Sequence, residues 1–158
     1  VLSASTEKPF LVILDHLEDP HNLGAIIRTC EAAGVDGIII PKNRSVGVNS
    51  TVMKVSSGAL NNVKICSVTN INEVIRDLKK KGLWIIGTDA QNSQSYNEID
   101  YDMPLALVIG SEGQGISKLT KELCDFAVHL PMKGKINSLN ASVAAGIVIY
   151  KVLEKRGE

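Results

Sequence analysis

No apolar run in the 158-residue chain approaches the roughly 20 residues that a membrane span requires, and its first residues hold neither the basic nor the apolar stretch of a secretory signal. A soluble, cytoplasmic protein is expected, with no membrane partner. Cysteine is scarce: Cys30, Cys66 and Cys124 are odd in number and far apart, which argues against a disulfide framework and a zinc site alike and fits a reducing compartment. The three histidines, His16, His21 and His129, lack the spacing of a metal-ligand set, so no metal is expected. An excess of positive charge is missing too, because 17 Lys and Arg balance 17 Asp and Glu. Any affinity for phosphate must then come from a local patch or from another domain. Internal repeats and low-complexity tracts are absent.

What is present is ordinary for one globular domain with a real core: 44% hydrophobic and 22% charged residues. Short apolar runs alternate with segments of helical period, the pattern of an α/β fold with a mostly parallel sheet flanked by helices. Strands are predicted at Phe10–Leu14, Gly37–Ile40, Val63–Val68, Leu83–Thr88, Leu105–Ile109 and Phe126–Leu130. Helices are predicted at Leu23–Ala33, Ser50–Ser56, Ile71–Lys81, Ser117–Leu123 and Leu139–Lys155, with Gly34 and Gly82 where helices stop. The polar stretch Ala90–Pro104 reads as a surface connection. Lys79, Lys80 and Lys81 close a helix, where positive charge complements the macrodipole; that is favoured over a contact to nucleic acid. The last helix carries two apolar faces, Leu139, Val143, Ile147 and Tyr150 on one and Ala141, Ala145, Val148 and Val152 on the other. A monomer needs one, so the second is buried either within the domain or against a subunit.

Three strand–loop–helix junctions are candidates for carrying chemistry. In the first, Asp19 to Arg28, Asn22 stands where an N-cap is expected, and Gly24 lies one turn from Arg28, leaving space for a ligand beside the guanidinium. A plain cap and a surface ion pair are the competing readings. In the second, Gly110, Gly113 and Gly115 surround Glu112 at the carboxyl end of a strand, in an order that is neither the dinucleotide fingerprint nor a phosphate loop. In the third, Leu130 to Ser142, the residues Asn137, Ser138, Asn140 and Ser142 exceed what one cap needs, with Lys133 and Lys135 beside them.

Taken in order, Asn22/Gly24/Arg28, Gly110/Glu112/Gly113/Gly115 and Ser138/Leu139/Asn140 resemble the three motifs of the SpoU (TrmH-like) ribose methyltransferases of the SPOUT superfamily. Asn49–Val52 and Val55–Ala59 resemble the branch that methylates a guanosine ribose in large-subunit ribosomal RNA. The resemblance implies that residues 1–158 are a catalytic domain, that a separate N-terminal RNA-recognition domain lies outside the chain, and that the C-terminal part forms a deep trefoil knot. It further implies a homodimer, RNA as substrate and S-adenosyl-L-methionine as cofactor. Carried over by residue, it places Gly110, Leu130, Met132, Ser138 and Leu139 at the cofactor and Arg28, Asn22, Glu112, Ser138 and Asn140 at methyl transfer. Transfer RNA as substrate, or a catalytically silent RNA-binding ribosome-assembly factor, are the alternatives. A guanidinium keeps its proton to above about pH 12, so Arg28 is expected to grip phosphate and steady a developing alkoxide, not to act as a base.

Overall fold

The computed structural model describes residues 8–17, 19–42, 63–89, 93–110, 115–135 and 139–157. The expected helix Ser50–Ser56 and the motif residues Glu112 and Ser138 lie outside them, as do Asn49–Val52 and Val55–Ala59. Two uninterrupted apolar runs, β1 (Phe10–Leu14) and β6 (Leu105–Ile109), lie side by side at the middle of the sheet and are buried throughout. Continuous apolar character is what a strand covered on both faces demands. Around them stand β2 (Gly37–Pro41), β3 (Ile65–Val68), β4 (Trp84–Thr88), β5 (Gln94–Ser95) and β7 (Phe126–His129), giving the order β3-β2-β1-β6-β4-β7-β5. Every pairing is parallel.

Because alternate side chains of a strand face opposite ways, the sheet divides the core in two. Phe10, Val12 and Leu14 face α1 (Pro20–Ala33) and the last helix, α4 (Ala141–Lys155), which pack against each other through Leu23, Ile26, Ile27, Ala145, Val148 and Ile149. Leu11 and Ile13 face α2 (Ile71–Lys80), whose Ile71, Ile75 and Leu78 fill the second layer. A short α3 (Lys118–Leu123) packs beside α2 on that side. Each fully buried Leu or Ile in these layers contributes roughly 1.5–3 kcal/mol.

The helix ends follow local chemistry, with one departure from expectation. Asp19, not Asn22, caps α1: its Oδ1 accepts from the His21 N–H at 2.9 Å, and Pro20, whose locked φ suits the first helical position, starts the helix. Asn22 therefore sits three positions beyond the cap, within the first turn and buried. At the other end, Gly34 takes φ 76°, and its N–H meets the carbonyls of Cys30 and Glu31. Lys79 donates to the Leu123 carbonyl at 2.9 Å and lies 3.5 Å from Asp125, so this member of the lysine run is structural.

The stretch 93–104 also departs from a plain surface connection. Gln94 and Ser95 pair with Val128 and His129 as β5, and Ile99 and Tyr101 are buried in the core. A two-residue strand is too short to show a period, and two anchors among polar neighbours do not stand out in a sequence.

Candidate active site

A parallel sheet sends the loops after β1, β6 and β7 to one edge, the carboxyl edge, where open α/β sheets hold ligands. These are the three junctions singled out in the sequence. β1 and β6 are neighbours and β4 separates β6 from β7, so all three loops leave within about three strand spacings, on the order of 15 Å.

The junction after β6 is the tightest. Gly110 is buried, and a Cβ built there would overlap the Gly115 carbonyl group and the Ile116 nitrogen, so the two arms of the glycine turn touch backbone to backbone. No other residue type fits that contact without displacing main chain. After β7, Leu130 is half-buried against the core, while Met132, Lys133 and Lys135 are exposed. The chain then enters α4 through half-buried Leu139 and the cap Asn140. Oδ1 of Asn140 accepts from the Ser142 N–H at 2.9 Å, the Val143 N–H at 3.3 Å and the Ser142 hydroxyl at 2.6 Å. That oxygen is committed to the cap, which leaves the amide NH2 with two protons to donate.

Among the described site residues the structure thus brings Asn22, Gly110, Leu130, Met132, Leu139 and Asn140 to the carboxyl edge of one sheet. Arg28 lies further along α1. It lies six positions beyond Asn22, about 9 Å further along the helix axis, and is exposed. Gly24 is buried within α1.

Sequence reading passed over Asp15, which directly follows β1. It is 1% exposed; its N–H donates to the Ile109 carbonyl at 2.8 Å and its Oδ2 accepts from the Ser117 N–H at 3.0 Å. The only signal in the sequence is a lone carboxylate closing an apolar run. The thiols offer no nucleophile here: burial pushes Cys30 up to about 12, and burial followed by the neighbouring Asp125 charge pushes Cys124 to about 12 as well. Among the described residues no three His, Cys, Asp or Glu side chains gather as metal ligands, and no helix is long and apolar enough to cross a membrane.

Comparison with known proteins meets this geometry. The chain is 53% identical over 150 residues to YacO of Bacillus subtilis (strain 168), whose name places it in the TrmH family of tRNA/rRNA methyltransferases; the match covers 95% of this chain and 60% of that protein. The SpoU methyltransferase AviRb from Streptomyces viridochromogenes, solved with AdoMet, superposes with a TM-score of 0.89 at 29% identity, over 97% of this chain and 62% of AviRb. A TrmH/SpoU tRNA modifying enzyme from A. aeolicus superposes with a TM-score of 0.87 at 33% identity, over 94% of this chain and 76% of that one. The chain thus spans about 60% of the length of the Bacillus relative. Residues 9–150, almost the whole of the described sheet and its helices, match the SpoU rRNA Methylase family, and the chain belongs to it.

Proposed function

We propose that this chain is the catalytic domain of an S-adenosylmethionine-dependent RNA 2′-O-ribose methyltransferase that modifies a guanosine in large-subunit ribosomal RNA. The observation that carries the reading is the Gly110–Gly115 backbone contact standing at the same carboxyl edge of the sheet that β7 leaves toward Leu130 and Asn140. Support for the chemistry comes from family membership and from the AdoMet-bound relative.

The residues present fit the cofactor. Bare backbone at Gly110 offers N–H and C=O groups suited to the edges of an adenine, and the apolar side chains of Leu130, Met132 and Leu139 suit its faces. When bound, the cofactor supplies a methyl group on a sulfonium, open to attack by a ribose 2′-oxygen. Holding that oxygen in line with the methyl group is the task of this chain's own residues. Asn140, its oxygen spent on the α4 cap, serves as a donor through its NH2. Asn22, and by motif Glu112 and Ser138, belong to the same reaction region. Arg28 binds RNA phosphate and steadies the negative charge growing on the 2′-oxygen.

The exposed flank of α4 supports a homodimer: Val143, Ile147 and Tyr150 are 51%, 39% and 46% exposed, a row of large apolar side chains that water covers poorly. An Arg28 set back from the strand ends and open to solvent is consistent with a site completed across such an interface. The return of α4 from β7 to pack on α1, across the neighbouring strands, is consistent with a C-terminal trefoil knot. The balanced charge supports RNA selection through sequence beyond this chain, an N-terminal recognition domain. Transfer RNA is the second reading, favoured by the A. aeolicus relative.

Calorimetry with S-adenosylhomocysteine tests the cofactor, with micromolar binding expected and no binding counting against the reading. Mapping ribose methylation in cells with and without the protein identifies the RNA. Arg28→Lys is expected to weaken both RNA affinity and turnover, since an ammonium cannot supply the planar fork; wild-type values for both would remove Arg28 from this role.

A further inference from the structure

The Asp15 carboxylate has no place in the chemistry above, yet among the described residues it is the one charged side chain that is buried, the other buried polar residues being Asn22 and Thr120. Its backbone N–H reaches Ile109, the last residue before the glycine turn, and its Oδ2 receives the N–H of Ser117, the first residue after Ile116 on the returning arm. Oδ1 lies against Nδ1 of His16 without hydrogen-bond alignment. The residue that follows β1 thus grips both arms of a turn that is more than 90 positions away in sequence and whose arms already touch at Gly110 and Gly115. His16, which follows, holds φ 61°, a left-handed conformation uncommon outside glycine. Backbone held in such a conformation beside a site is the kind of local strain that surrounding structure must impose.

We propose that Asp15 is a positioning residue for the cofactor crevice: by tying Ile109 and Ser117 to the end of β1, it holds the neck of the glycine turn closed, so that the Gly110 backbone stands where the cofactor meets it. The proposal rests on the methyltransferase reading for the identity of the ligand but not for the contact itself. Two other aspartates use the same double grip at the opposite edge of the sheet. Asp36 accepts from the Phe10 N–H at 2.8 Å and donates its own N–H to Phe10, and Asp125 does the same with Ile85. Those pairs hold strands in register far from the carboxyl edge, which makes Asp36 the natural control for a purely structural role.

The experiment compares Asp15→Leu, Asp15→Asn and Asp36→Leu in the 158-residue chain by titration with S-adenosylhomocysteine and by amide hydrogen exchange at Ser117. Leaving the Ser117 N–H without an acceptor is expected to weaken binding about tenfold or more in Asp15→Leu, whereas Asp15→Asn, whose carbonyl still accepts, stays within about threefold of wild type. Asp36→Leu is expected to melt earlier with unchanged affinity. Faster Ser117 exchange in Asp15→Leu, relative to Asp15→Asn and Asp36→Leu, shows the grip itself. Should Asp15→Leu fail to fold, Ser117→Pro removes the same N–H at a residue whose φ of −66° proline accepts. Equal affinity in wild type and in Asp15→Leu or Ser117→Pro overturns the proposal, as does unaltered Ser117 exchange in Asp15→Leu. A wild-type chain that ignores S-adenosylhomocysteine sinks the cofactor assignment instead, and the exchange data then decide on Asp15 alone.

Discussion

Replacing Gly110 by alanine adds a single methyl group, and the structure says what that methyl group meets. Its neighbours are the carbonyl carbon and oxygen of Gly115 and the nitrogen of Ile116, all main chain. A flexible side chain could swing aside, but this backbone is held on its far side by the Asp15–Ser117 bond, so the neck of the turn must open as a unit. Forcing extra volume into a packed position typically costs about 1–3 kcal/mol. If the cofactor binds only the closed neck, the same free energy appears as a loss of affinity of about 5- to 150-fold, at 1.4 kcal/mol per factor of ten. Titration calorimetry with S-adenosylhomocysteine reads the loss directly, and a thermal melt shows whether the rest of the chain stays folded. Gly134→Ala is the matched control, since a Cβ there meets open space and φ is not in the left-handed range. A Gly110→Ala chain that binds within about twofold of wild type and melts unchanged would refute the idea that close backbone approach shapes this site.

Three further outcomes are expected. Asn140→Asp keeps an N-cap on α4, so its melting point should hold, while methyl transfer falls about a hundredfold for want of the NH2 donor; Asn140→Ala should lose about 1 kcal/mol of stability besides. Arg156 sits across the amino edge of the sheet, donating to the carbonyls of Tyr101 at 3.1 Å, Met103 at 2.5 Å and Pro9 at 3.4 Å, over the Phe10 ring. Arg156→Met should therefore cost roughly 1–3 kcal/mol in chemical denaturation, a range discounted for partial exposure, and leave cofactor affinity alone. Of the three thiols only exposed Cys66 should react with iodoacetamide at about pH 8 in the folded chain. Because Cys30 and Cys124 are raised from an ordinary 9.0 to about 12, the folded state holds their protons longer than the unfolded one. Their contribution is complete below 9.0 and lost as pH climbs to about 12, which urea titrations across that window measure.

The parts of the fold legible in the sequence are those in which neighbouring residues share one environment. β1 and β6 fall at their expected bounds because a strand covered on both faces is an unbroken apolar run. The ends of α1 show both outcomes: Gly34 stops the helix as its backbone freedom suggests, but the start lies at Pro20 with Asp19 as cap, three residues before the first strongly apolar position. Helical propensity marks where a helix is amphipathic, whereas proline and a capping carboxylate decide where it begins. Asn22 stood out for its residue type and Asp15 did not, although Asp15 holds the site's backbone through a partner 102 positions away. Contacts of that range are set by the order of strands in the sheet, which no local pattern encodes. Arg28 is singled out by its motif alone, while its setback along α1 follows from helix geometry.

The two-residue strand β5 has an effect out of proportion to its size. Without it, β7 would form the rim of the sheet, and the hydrogen-bonding groups of Val128 and His129 would lie open to any extended segment that came by. Since β7 leads straight into Leu130 and the loop before α4, an intruding strand at that rim would also reshape the crevice. A pairing of only two residues is enough to occupy the rim yet too short to recruit another chain, so the same short stitch guards solubility and the shape of the crevice together.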